Sequence, residues 1–116
     1  MFVVALLAAA GVTGGVAAPA SADSGVNHYL WISASDGSVH WEHWPGSPTG
    51  EYHINFWGVN TNWNTNTPNY WKVTNDTEYG ILPGPVPAGV MVCGNLWYHK
   101  PAGGYGSYGL PCVAMS

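Results

Sequence analysis

After Asp23, no window of about eleven residues holds a helical period closed by a cap. Short aromatic and β-branched runs alternate instead with Gly, Pro and Asn clusters, about every 8–12 residues. That punctuation restricts the chain to an all-β architecture, a small antiparallel sandwich or barrel of about seven strands. Strands are expected near 27–33, 38–44, 51–58, 69–75, 78–82, 89–99 and 107–115. Between them, Asp36-Gly37 reads as a tight turn and Pro45 to Gly50 as a hairpin loop. Pro83, Gly84, Pro85 and Pro87 read as a stiff connector, and Gly103, Gly104 and Gly106 as a last loop. The Asn-rich run from Asn60 to Asn69 reads as a long polar surface loop around Trp63.

The N-terminal part has a different character. An apolar run from Phe2 to Ala10 leads to the small-residue pattern Ala20-Ser21-Ala22, ahead of the first charge at Asp23. Residues 1–22 are therefore expected to be a cleaved signal peptide and residues 23–116 a single secreted β domain. The run is too short for the roughly 30 Å of hydrocarbon that a helix must cross, and Thr13, Gly14, Gly15 and Pro19 interrupt it. No Lys or Arg precedes it, so the true start is expected upstream of Met1 or the terminus is truncated. Without a cysteine at the cleavage point or an apolar tail over Leu110 to Ser116, the product should be released, with no membrane insertion.

Export changes the meaning of the two cysteines. In an oxidising compartment Cys93 and Cys112 should form one disulfide. Closing a loop of that length should contribute about 3 kcal/mol. The charge balance limits the partners: two basic and six acidic residues give a net charge of −4, the wrong sign for nucleic acid or an anionic membrane. Five histidines could reverse that sign below about pH 6. In composition alone, the Ala/Gly-rich leader and Trp/Tyr/Asn-rich remainder resemble small exported proteins of high-GC Gram-positive bacteria.

Two hairpins can be drawn from the alternation. Around the loop at 45–50, Trp44 is placed opposite Glu51. One face then carries Val39, Trp41 and His43 opposite Phe56, Ile54 and Tyr52, and the other carries His40, Glu42 and Trp44 opposite Asn55, His53 and Glu51. In the second hairpin, Cys93 opposite Cys112 sets Met91 against Ala114 and Trp97 against Tyr108. Asn95, Trp97 and His99 then share a face with Cys93, while Val90, Val92, Leu96 and Tyr98 face the core.

Two constellations could carry function. His40, Glu42, Glu51 and His53 on one face would offer two imidazoles and two carboxylates to a divalent ion, or a carboxylate pair for acid/base work. The plainer reading is a solvated face of paired charges. The second constellation is aromatic: seven Trp and seven Tyr. Trp31, Trp41 and Phe56 are expected in the core, and Trp44, Trp57, Trp63 and Tyr105 at the surface. An exposed flat ring beside amides and carboxylates matches a sugar, whose apolar C–H face is ringed by hydroxyls. Trp63, set among Asn60, Asn62, Asn64 and Asn66, either stacks on a ligand or plugs its own loop onto the sheet. Nucleophilic chemistry has little support: Ser107 misses the G-x-S-x-G pattern because Tyr105 takes the first glycine position, and no strand-turn-helix context surrounds it.

The expected function is therefore non-enzymatic binding of a polysaccharide or cell-wall glycan, without a cofactor. Trp44, Trp57 and Trp63 would stack, and Asn62, Asn64 and Glu51 would take the hydroxyls. Alternatives are a protein-directed effector, such as a protease inhibitor or toxin, reaching through Pro83 to Pro87 or the 100–109 loop, and a small metal-dependent hydrolase on the His40, Glu42, Glu51, His53 face.

Overall fold

A computed structural model describes residues 24–84 and 86–116; the expected leader, Asp23 and Pro85 lie outside the described residues. The described chain is all-β, two antiparallel sheets packed face to face. Ten strand segments form it: β1 (Ser24–Asn27), β2 (Leu30–Ser35), β3 (Ser38–His43), β4 (Gly50–Gly58), β5 (Asn64–Asn66), β6 (Tyr70–Lys72), β7 (Glu78–Pro83), β8 (Met91–His99), β9 (Tyr105–Ser107) and β10 (Cys112–Ala114). The smaller sheet runs β1-β2-β3-β7. The larger is built on the paired nine-residue strands β4 and β8. Each long strand is flanked by two short ones in succession: β6 and β5 along β4, β9 and β10 along β8.

Strict alternation decides which side chains meet between the sheets. From the large sheet Tyr52, Ile54 and Phe56 of β4 and Val92 and Leu96 of β8 point inward and are buried. From the small sheet Leu30, Ile32 and Ala34 of β2 and Val39, Trp41 and His43 of β3 meet them. Each fully buried Leu, Ile, Val or Phe contributes roughly 1.5–3 kcal/mol of transfer free energy, so these layers hold the sandwich together. Two glycines make room for the largest rings. A Cβ at Gly80 would stand 2.8 Å from the Trp41 indole, and one at Gly94 would stand 2.9 Å from the Phe56 ring.

The disulfide Cys93–Cys112 joins facing residues of β8 and β10, as expected, with Met91 opposite Ala114. Towards the tip the register moves by one residue, so Trp97 lies opposite Ser107 and not Tyr108. The extra residue is taken up between Tyr108 and Pro111, where the Leu96 amide donates to Gly109 O and the Gly94 amide to Pro111 O.

The first hairpin is corrected outright. β3 pairs with β2 and β7, whereas β4 pairs with β8, β5 and β6, so Trp44 is not opposite Glu51 and residues 44–49 cross from one sheet to the other. The two apolar faces do meet, but across the sandwich and not side by side; alternation specifies a face without naming the partner strand. Other differences are local. A turn at His28, whose φ is 49°, separates β1 from β2 inside the expected 27–33 strand. The Asn-rich loop contains a short strand, β5, paired with residues 55–57. Trp31 points outward and is half-buried, because Leu30 and Ile32 on either side of it fill the core.

Candidate functional site on the large sheet

The outward residues of the large sheet form an aromatic and polar field. Across β4 and β8, Glu51 faces His99, His53 faces Trp97, Asn55 faces Asn95 and Trp57 faces Cys93. The short strands extend these rows: β6 sets Trp71 beside Glu51, β9 sets Tyr105 beside His99 and Ser107 beside Trp97, and β5 sets Asn66 beside Asn55 and Asn64 beside Trp57. Trp71 is 67% exposed and Tyr105 59%.

Polar groups between the rings are held in place. Asn55 Nδ2 donates to Asn64 Oδ1 at 2.8 Å and to Thr65 O at 3.1 Å, which ties β5 to the sheet. Ser107 Oγ donates to Asn95 Oδ1 at 2.7 Å. At the other end His53 Nδ1 and His99 Nε2 are 2.7 Å apart, and His99 Nδ1 lies 3.4 Å from Glu51 Oε1. Tyr105 covers the imidazole pair edge-on, its ring centroid 5.0 Å from His99 and 5.6 Å from His53, and it tilts against Trp97 at 6.3 Å. Burial, and then the neighbouring His99, hold the His53 imidazole below its ordinary value of 6.5. Asn64 is exposed and Asn55 half-buried, so these two fixed amides can hydrogen-bond a hydroxylated ligand at little ordering cost, whereas Asn95 is buried.

The residues singled out from the sequence divide between several places. Trp57, Glu51, Asn64 and His53 stand on this field. His40 and Glu42 lie on the outer face of the small sheet, opposite Ile81 and Tyr79, so the expected His/Glu quartet is split between two sheets. Among the described residues no three His, Cys, Asp or Glu side chains gather in a metal-binding group. Trp44 sits beyond the end of β3, its indole N–H donating to Glu42 Oε1 at 2.9 Å. Trp63 packs against the core and stands over Gly84, which is the plug arrangement, and with Asn62, Thr61, Val86 and Pro87 it lines a cleft of about 390 Å³. An open pocket of about 460 Å³, lined by His28, Tyr29, Ser107 and Tyr108, adjoins the field at Ser107.

Trp71, Trp97, His99, Asn55 and Asn95 were not among the expected ligand residues. The shared face of Asn95, Trp97 and His99 was legible from the disulfide register; its meeting with β4 was not.

One interior cluster has the donor set of a nucleophile without its access. Ser47 Oγ lies 2.6 Å from His43 Nε2, and Tyr70 OH lies 2.9 Å from His43 Nδ1. Ser47 and His43 have no solvent exposure. Burial, reinforced by the nearby Lys72 ammonium, pushes the His43 imidazole down to about 3, and burial raises the Tyr52 phenol to about 12. The cluster is a neutral polar brace between the sheets.

Comparison with protein-family models, with curated proteins and with solved structures finds no match to this chain. Its function is therefore argued from the field itself.

Proposed function

We propose that this chain is an exported, non-enzymatic glycan-binding domain whose binding surface is the outer face of the large sheet. One observation carries the reading: exposed Trp71 and Tyr105 and half-buried Trp57 and Trp97 share the outer sheet face with Glu51, Asn55 and Asn64, and the buried Asn95 beneath them fixes Ser107. Rings take the C–H faces of successive sugars while amides and the carboxylate take the hydroxyls. A strand advances about 3.4 Å per residue, so outward residues recur at spacings on the scale of a sugar ring. Export is supported by the leader pattern and by the disulfide, which belongs to an oxidising environment. No helix among the described residues is long and apolar enough to cross a membrane.

A protein-directed effector is the second reading, favoured by the opposite side of the molecule. There Tyr79, Ile81 and Val26 stand exposed on the outer face of the small sheet, and β7 is an edge strand.

Retention on insoluble chitin, cellulose and peptidoglycan separates the two. Trp71→Ala and Trp97→Ala should each weaken retention by about five- to tenfold, on the basis of roughly 1 kcal/mol per stacking ring. Tyr79→Ala should leave it unchanged. Retention lost only in Tyr79→Ala, or unchanged in both tryptophan variants, removes the large-sheet surface from consideration.

A further inference from the structure

The imidazole pair in the field has a direction. Glu51 carries a carboxylate that only accepts, so the nitrogen facing it, His99 Nδ1, holds the proton. With that proton on Nδ1, His99 Nε2 is the acceptor of the pair, and at 2.7 Å its lone pair takes the His53 Nδ1–H. His53 is left with its proton on Nδ1 and a bare Nε2, for which the described residues provide no partner. We propose that the chain Glu51–His99–His53 presents His53 Nε2 as a hydroxyl acceptor at neutral pH and converts it to a charged donor on acidification, so that the face captures carboxylate-bearing glycans under acid conditions. This rests on the glycan reading of the same face.

The surroundings determine what one proton does. The groups facing His53 are Glu51 on its own strand, Trp97 and His99 on β8, and the Tyr105 phenol on β9. Lys100 stands in the turn after His99, its stem passing over Gly106, and β5 and β6 bring only Asn and Trp to this face. The carboxylate that His99 faces, Glu51, repels an acidic sugar. A proton added at His53 Nε2 leaves the Nδ1–H···Nε2 bond to His99 intact, offsets the carboxylate's charge and gives the half-buried ring an N–H donor on its free nitrogen. A second proton would set N–H against N–H within the pair, which opposes its entry. The depression of the His53 imidazole sets the change below pH 6.5. A uronate, with a pKa of roughly 4 like other carboxylates, is still mostly ionised at pH 5.

Two measurements decide it. Long-range ¹H–¹⁵N NMR of the imidazoles, on the protein alone, should show His53 and His99 as Nδ1–H tautomers at pH 7.5, with one proton entering at His53 Nε2 below pH 6.5. A His53 that carries its proton on Nε2 at pH 7.5 overturns the chain. Affinity electrophoresis in soluble polygalacturonate and in a neutral β-glucan, at pH 7.5 and 5.0, tests the capture. Affinity for polygalacturonate should rise about tenfold on acidification, as expected for gaining a charge-assisted hydrogen bond, while that for the neutral glucan changes less than about twofold. The rise should vanish in His53→Gln and persist in His40→Gln. A rise that survives His53→Gln, or binding that ignores pH, overturns this inference and leaves the glycan reading standing. No binding of either polymer at either pH overturns both.

Discussion

Acidification should destabilise this domain through His43, and the size of the effect follows from where that ring sits. It lies between the sheets with Ser47 and Tyr70 on its two nitrogens and Lys72 nearby, and its imidazole is held down to about 3. In the unfolded chain it returns to 6.5. Because the folded value is the lower one, the unfolded state takes the proton first. The stability His43 contributes is complete above pH 6.5 and is lost as pH falls towards 3. The slope is half its limit at pH 6.5 and approaches about 1.4 kcal/mol per pH unit below that, so the step from pH 6.5 to 4.5 removes about 2 kcal/mol. That is a large share of the roughly 5–15 kcal/mol that holds a domain of this size. His53, also held below its ordinary value, adds a loss of the same sign. Urea titrations followed by tryptophan fluorescence at pH 7.0, 5.5 and 4.5 measure it. His43→Gln should begin about 1–3 kcal/mol less stable, since the amide loses the ring's packing against Tyr52 and Tyr70 and must re-aim both hydrogen bonds, yet lose about 2 kcal/mol less than the parent on acidification. Equal acid losses in parent and variant would refute the assignment.

Replacing both Cys93 and Cys112 with Ser should lower stability by about 3 kcal/mol, read as a fall in the urea midpoint, because the bridge closes a loop between residues 19 apart. Gly94→Ala should cost about 1–3 kcal/mol and lower the melting temperature, since its methyl would stand 2.9 Å from the buried Phe56 ring. Trp63→Ala should cost about 2–3 kcal/mol while leaving glycan retention intact, because the ring packs on the core. Trp71→Ala should do the reverse, changing stability by less than about 0.5 kcal/mol while weakening retention.

Much of the fold was legible because a strand has a period of two. The outward set Glu51, His53, Asn55, Trp57 and the inward set Tyr52, Ile54, Phe56 could be separated without any partner. The partner itself could not. Val39, Trp41 and His43 complement Tyr52, Ile54 and Phe56 equally well as neighbours in one sheet or as facing layers, and the short 44–49 segment favoured the hairpin. Trp31 shows a related limit: aromatic bulk argued for the core, but its position between Leu30 and Ile32 placed it outside. The disulfide supplied one long-range restraint and located the β8–β10 register; it carried no information on the extra residue near Gly109. The site was half legible for the same reason. Trp57, Glu51 and Asn64 were named on one side and the shared face of Asn95, Trp97 and His99 on the other, but only the β4–β8 pairing brings the two groups together. Trp71 was hidden by its short strand, where a single ring between Tyr70 and Lys72 offers no period to read.

The central claim, that glycans lie on the outer face of the large sheet, is tested most directly by the seven tryptophan indole N–H signals. Adding a soluble oligosaccharide of a retained glycan to ¹⁵N-labelled protein should shift Trp71 and Trp97 first, with Trp57 following, and leave Trp31, Trp41, Trp44 and Trp63 in place. Shifts confined to Trp31 and Trp44 would place the ligand on the small sheet and contradict the account.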